Sequence, residues 1–291
     1  MTNPRQCQVE LTQASLNYYE WYPELKGSQP TLLLVHATGF HARVWDQMID
    51  HLPPMHIISV DQRGHGQSQG KMVQGWADYC GDLLEFVRAI ELTNAVAIGH
   101  SMGGHVLVHA LAHEPQRFRS AILIDPVILD PAIYEMLKDK PVGDHPTSKR
   151  RHEFDSVQAM VDRFSDKTPY SLFTPEALKD YCQYGLKESE TGDGMILCCA
   201  PETEAFIYAS AGGHADILNQ VKTVQTPVLI LRAMVAQEGL TANFAYSPTW
   251  PALADDFALG EDRHLDHLTH FMPMQAPEEI AKIVLQKITN D

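Results

Sequence analysis

The chain has 291 residues, 44% of them hydrophobic and 20% charged, which is enough to bury a sizeable core and too apolar for a disordered segment. Its 22 Lys and Arg stand against 37 Asp and Glu, a formal net charge of −15. That balance excludes a phosphate-backbone binder and disfavours docking on anionic lipid, since both need a basic footprint.

Taken in chain order, the opening MTNPRQCQVELTQ has no basic region followed by an apolar run, so no secretory signal is expected. The longest apolar stretches are strand-length, far short of a membrane span. Residues 7–22 read as a β-hairpin. Unbroken apolar runs at 31–37, 56–61, 95–101, 120–127 and 226–233 suit strands buried on both faces, and 256–261 is a weaker candidate. Helical spacing is clear at 78–92, at 103–115 (stopped by Pro115) and at 277–288. Strand–helix alternation of this kind predicts a mostly parallel sheet covered on both faces. The alternation breaks over 128–222, a stretch rich in charge, Tyr and Pro. It reads as a helical insertion, with helices at 153–165 and 174–188, folded as a cap over a core made of 1–127 and 223–291. Cys7, Cys80, Cys182, Cys198 and Cys199 form an odd, scattered set with no CxxC pair, as expected for reduced thiols in the cytoplasm.

The strongest chemical signal is Gly99-His100-Ser101-Met102-Gly103, followed by Gly104. A strand that turns at once into a helix forces the serine into a strained conformation and requires small residues two before and two after it. The turn lifts the Ser101 hydroxyl above the sheet edge. It also puts the Met102 N–H at a helix N-terminus, where it can bond a developing oxyanion. A serine needs a base. His270 lies in a loop before the last helix, at the sheet edge where open α/β folds bind ligands. His264, His267 and His270 recur every three residues, yet their spacing with Asp266 does not suit zinc, and no metal is expected. His100 and His105 read as structural, while His36 and His65 sit in loops able to line a pocket.

Three ordered elements carry a resemblance: HATGF (36–40), DQRGHGQS (61–68) and GHSMGG (99–104). Together they resemble the loop after the third strand, the next strand's turn and the nucleophile elbow of the α/β-hydrolase superfamily. The match spans nearly the whole chain, with 128–222 at the usual cap position. The resemblance implies Ser101 as nucleophile, His270 as general base, and the N–H groups of Met102 and Thr38 as the oxyanion hole. Ala37 stands where the family loop usually has Gly. Asp61 and Arg63 read as turn-fastening residues.

The family usually places the triad acid just after the strand at 226–233, but that loop holds only Glu238. Asp125, at the end of the preceding strand, fits the second known arrangement. A buried carboxylate there needs a partner, and Asp125 is preferred over Glu238. Serine at position 101 excludes the dehalogenases and epoxide hydrolases of this fold, which need a carboxylate there. The expectation is a cytoplasmic carboxylesterase-like serine hydrolase of a small, largely apolar ester, needing no cofactor. A lactonase, a C–C bond hydrolase of a diketone, and a catalytically silent small-molecule binding protein remain as alternatives. The aromatics of the insertion, Tyr170 and Tyr181 among them, are expected mainly to pack its helices. Lys149-Arg150-Arg151 reads as a solvated helix start in preference to a contact for an anionic substrate. Homodimer formation through the insertion is compatible with the sequence.

Overall fold

The computed structural model describes residues 3–138, 140–189, 192–236 and 245–290. The chain begins on an antiparallel hairpin, β1 (Arg5–Glu10) and β2 (Ala14–Trp21), paired from Arg5 opposite Glu20 to Glu10 opposite Ser15. β3 (Thr31–Val35), β4 (Ile57–Val60), the two-residue β5 (Gln69–Gly70), β6 (Ala95–His100) and β7 (Phe118–Ile124) follow. Three short strands, β8 (Glu153–Phe154), β9 (Leu186–Glu188) and β10 (Met195–Leu197), precede β11 (Val228–Ala233) and β12 (Gly260–Leu265).

Among the described residues the main sheet runs β1-β2-β4-β3-β6-β7-β11-β12, with β5 on β2. It is parallel from β4 to β12. Alternation explains why the apolar runs are unbroken. Leu32 and Leu34 point into one apolar layer with Ile98, Met48 and Val284, whereas Leu33 and Val35 point into the other with Ala97, Phe86 and Val106. The helices Trp76–Ala89 and Met102–His113 cover the second layer, and Pro277–Asn290 covers the first. The chain builds outward from β3 to β4, then returns to β6 on the other side of β3. The C-terminal ends of β3 and β6 therefore flank a topological switch point, where open α/β sheets bind ligands.

Two expectations change. The last strand lies at Gly260–Leu265 rather than 256–261, and residues Leu253–Asp256 form a 3-10 turn. Among the described residues β12 is the outermost strand and pairs only with β11, so its sequence GEDRHL can be polar and largely exposed. The insertion is also not wholly helical. Within it β8, β10 and β9 form a small antiparallel sheet. The helix expected over 153–165 is confined to Val157–Phe164, because Ser156 caps it by accepting from Ala159 N–H. The helix expected over 174–188 ends at Tyr184, where Gly185 leads into β9. Ile217, Val221 and Val224 pack in the apolar layer under the sheet, beside the helix Met102–His113. No described helix is long and apolar enough to cross a membrane.

Candidate active site

Ser101 stands between β6 and the helix Met102–His113 with φ 57° and ψ −117°, a strained conformation for a side-chain-bearing residue. Its neighbours show why glycine is required. A Cβ on Gly99 would lie 2.4 Å from the Gly103 carbonyl oxygen, and one on Gly103 would lie 2.2 Å from that of Val35. The helix packs so closely on β3 that only bare backbone fits.

His270 follows β12 in the chain and meets Ser101 in space. Its Nε2 lies 3.0 Å from Ser101 Oγ, and its Nδ1 lies 2.6 Å from Asp125 Oδ2. With Nδ1–H donating to the carboxylate, Nε2 is the atom left to accept the serine proton. Asp125 is fully buried at the end of β7 and accepts further bonds at Oδ1 from Ala233 N–H (3.0 Å) and the Ser247 hydroxyl, while Thr249 Oγ1, 3.3 Å away, donates to the Pro126 carbonyl (2.7 Å). Burial alone would raise its pKa, but the hydrogen bond and charge of His270, with the Ser247 and Ala233 donors, leave it below the ordinary value. Glu238 lies outside the described residues. No local sequence pattern marks Ser247 and Thr249 as neighbours of Asp125.

His100 donates from Nε2 to the His270 carbonyl oxygen (2.8 Å), and burial pushes its pKa down to about 3, so it braces the His270 backbone as a neutral ring. Thr38 and Met102 are buried side by side, with the Thr38 hydroxyl 3.5 Å from Met102 Sδ. The loops after β3 and β6 therefore bring Thr38 and Met102, the two residues expected to supply oxyanion N–H groups, into side-chain contact. His36 and His65 do not line a pocket, contrary to expectation. Both are fully buried and fasten this loop: His36 Nδ1–H donates to Ala37 O and its Nε2 accepts from Gln62 N–H, while His65 Nε2 accepts from Gly39 N–H. Asp61 fastens the same region by accepting from the N–H groups of Ala42 and Gln67, and Arg63 pairs with Asp82.

The three late histidines part company. His264 reaches the Ala233 carbonyl, the exposed His267 pairs with Glu279, and His270 joins Ser101. A different trio, Cys80, His105 and His214, has ligand atoms within 4.8 Å of one another, with His105 Nε2 2.8 Å from His214 Nδ1.

A cavity of about 320 Å³ opens beside the site. Its wall includes Gly39 and Phe40, which follow Thr38, and Phe271, which follows His270. The insertion supplies Phe164, Tyr170, Tyr181, Tyr208 and Arg150. Here the sequence reading needs correction, for Lys149-Arg150-Arg151 is not a solvated helix start. The 3-10 turn Pro146–Lys149 ends there, and Arg150 turns inward to pair with Glu204 and donate to the Tyr181 hydroxyl.

A family model described as the alpha/beta hydrolase fold matches residues 30–277. The chain belongs to this family. This α/β hydrolase is 25% identical to a 2-(acetamidomethylene)succinate hydrolase of Mesorhizobium japonicum, over 97% of its own length and 93% of that protein's. Among solved structures, that of E-2-(acetamidomethylene)succinate hydrolase superposes with a TM-score of 0.74 at 22% identity, covering 98% of this chain and 99% of the other. The enol-lactonase of Burkholderia xenovorans gives a TM-score of 0.66 at 20% identity, covering 97% and 100%. These structural likenesses speak for the fold. The family of this α/β hydrolase includes enzymes that hydrolyse small molecules.

Proposed function

We propose that this α/β hydrolase is a serine hydrolase that cleaves an ester-type carbonyl of a small molecule through an acyl-enzyme. The observation that carries the reading is the continuous hydrogen-bonded line from Ser101 Oγ through His270 to Asp125, with the His270 ring packed on Phe271 of the cavity wall. In this reading Ser101 Oγ attacks the carbonyl carbon while its proton passes to His270 Nε2. The carbonyl π electrons move to oxygen, and the N–H groups of Met102 and Thr38 stabilise the oxyanion. Collapse of the tetrahedral intermediate expels the alkoxide, which takes the proton from Nε2. Water repeats the cycle: it gives a proton to His270 and frees the acid and Ser101. Asp125 holds the imidazole in the tautomer that this sequence needs and stabilises the imidazolium. The strained serine and the buried acid are both features whose cost the fold bears at one point, as expected of a working site.

The test is labelling of the whole protein with a fluorophosphonate, with Ser101→Ala as control, followed by rates on p-nitrophenyl esters of increasing acyl length and on lactones. Labelling at Ser101 with turnover of at least one ester class supports the reading. An intact, folded protein that neither labels nor turns over overturns it and leaves a small-molecule binding protein.

A further inference from the structure

The wall of the cavity is charged against the trend of the protein. Lys149, Arg150, Arg151 and Arg163 line it, and Glu204 is the one carboxylate among the described lining residues. A local excess of three positive charges therefore sits in a chain whose formal net charge is −15. Lys149 and Arg163 are exposed at its mouth, and Arg151 sits over the Phe154 ring. Arg150 is different, since its side chain is only 16% exposed and lies among tyrosines. Its bond to Glu204 uses one terminal nitrogen, and its 3.1 Å bond to the Tyr181 hydroxyl uses the other. Tyr170 also hydrogen-bonds this side chain, and a guanidinium carries five N–H donors in a planar fork, so two donors are left for a further acceptor. Glu204 in turn lies against the oxyanion-side loop: a Cβ on Gly39 would come 2.8 Å from its Oε1. Arg150, Glu204 and the Thr38 loop are thus one contiguous structure.

Resting on the hydrolase reading, we infer that the substrate carries a carboxylate beside its scissile carbonyl, bound by the Arg150 fork while Lys149 and Arg163 draw the anion to the cavity mouth. A fork of this shape matches a carboxylate in two parallel hydrogen bonds, which a compact ammonium cannot do. The volume of about 320 Å³ lies at the small end of ligand pockets, which suits a short acidic ester rather than a nucleotide-sized leaving group. Glu204 is a positioning residue, turning Arg150 toward the cavity.

The experiment has a binding arm and a turnover arm. In the first, Ser101→Ala protein is titrated calorimetrically with glutarate, dimethyl glutarate and inorganic phosphate. Glutarate is expected to bind at least about tenfold more tightly than the neutral diester, with a preference that shrinks as salt rises. Equal affinity for the two overturns the proposal, and tighter binding of phosphate than of glutarate overturns the assignment to a carboxylate. In the second arm the native protein is offered monomethyl and dimethyl glutarate in a pH-stat. The expected ratio of kcat/KM, monoester over diester, is about tenfold or more. Arg150→Lys, which keeps charge but loses the fork, is expected to bring that ratio down at least severalfold. An unchanged ratio in a folded variant overturns the proposal. If Arg150 variants do not fold, because Glu204 is left buried without its partner, the exposed Arg163→Glu replaces them. It is expected to cut the ratio and its salt dependence, and no change in either overturns the proposal. Labelling of Ser101 with preference for the neutral diester sinks this inference alone. Absence of both labelling and turnover sinks the hydrolase reading, and the binding arm still judges the anion site.

Discussion

Asp125 Oδ2 lies 2.6 Å from His270 Nδ1, and the carboxylate comes from the strand directly beside the one that carries Ser101. The acid and the serine are therefore fixed by neighbouring strands whose register pairs His100 with Ile124. Asp125→Asn keeps the shape but reverses the hydrogen bond to Nδ1. We expect kcat to fall about 10³–10⁴-fold, on the scale seen when a triad acid is neutralised. Steady-state rates of Asp125→Asn and Glu238→Gln decide the matter, and Glu238→Gln is expected to stay close to the native rate.

Ser247 is expected to matter through Asp125. Its hydroxyl donates to the carboxylate oxygen that His270 does not use, beside Thr249, whose hydroxyl donates mainly to the Pro126 carbonyl (2.7 Å). Hydrogen bonds to a charged group contribute about 1.5–3 kcal/mol. Ser247→Ala should lower kcat by about tenfold and reduce the denaturant midpoint, with KM little changed. Normal kcat in the variant would show that the Asp125 carboxylate is held well enough without it.

The buried histidines set the acid limb of stability. Burial lowers His41 and His65 to about 4 and His100 and His105 to about 3, and takes His36 well below its ordinary value. Between those values and the ordinary 6.5 the unfolded chain binds protons that the folded one does not, so stability falls as pH drops through this window. Asp46 and Asp61, raised by burial to about 6, act in the opposite sense, as do Asp82, Asp180 and Glu204, but His109, His145 and His214 are lowered too and keep the histidines in the majority. Urea midpoints should therefore decrease from pH 7 to pH 5. A His100→Gln variant should show a shallower slope, by up to about 1.4 kcal/mol per pH unit. A slope identical to that of the native protein would refute the contribution of His100.

Two glycines in helices should respond in opposite ways. Gly103→Ala drives a methyl into the Val35 and His36 carbonyl oxygens, so we expect a loss of several kcal/mol and of turnover together. A Cβ on Gly81, within the helix Trp76–Ala89, meets nothing within 4 Å. Gly81→Ala should raise stability by about 0.5–1 kcal/mol, from helix propensity and a less flexible unfolded chain, with activity unchanged. Thermal unfolding of the two variants checks both.

Much of this architecture is legible because its causes are local. Five apolar runs are unbroken because parallel strands are buried on both faces, and the glycines around Ser101 mark a turn that nothing larger could make. Asp125 can be read as a carboxylate at a buried strand's end, which demands a partner. What escapes the reading depends on distant neighbours. β12 hides because an outermost strand tolerates charge. Arg150 resembles a solvated cation until Glu204, 54 residues further on, turns it inward. Ser247 and Thr249 reach Asp125 across more than 120 residues, and no pattern in their own segment announces it.

The setting of the three site groups carries a consequence for heat. Ser101 and Asp125 follow interior strands, and His270 arrives on a segment whose Leu268, Phe271, Met272 and Met274 are buried in the main apolar layer, although β12 just before it mostly faces water. Segments rich in apolar contacts open only with the centre of a domain. Warming should therefore extinguish catalysis and the circular dichroism of the sheet over the same temperature range.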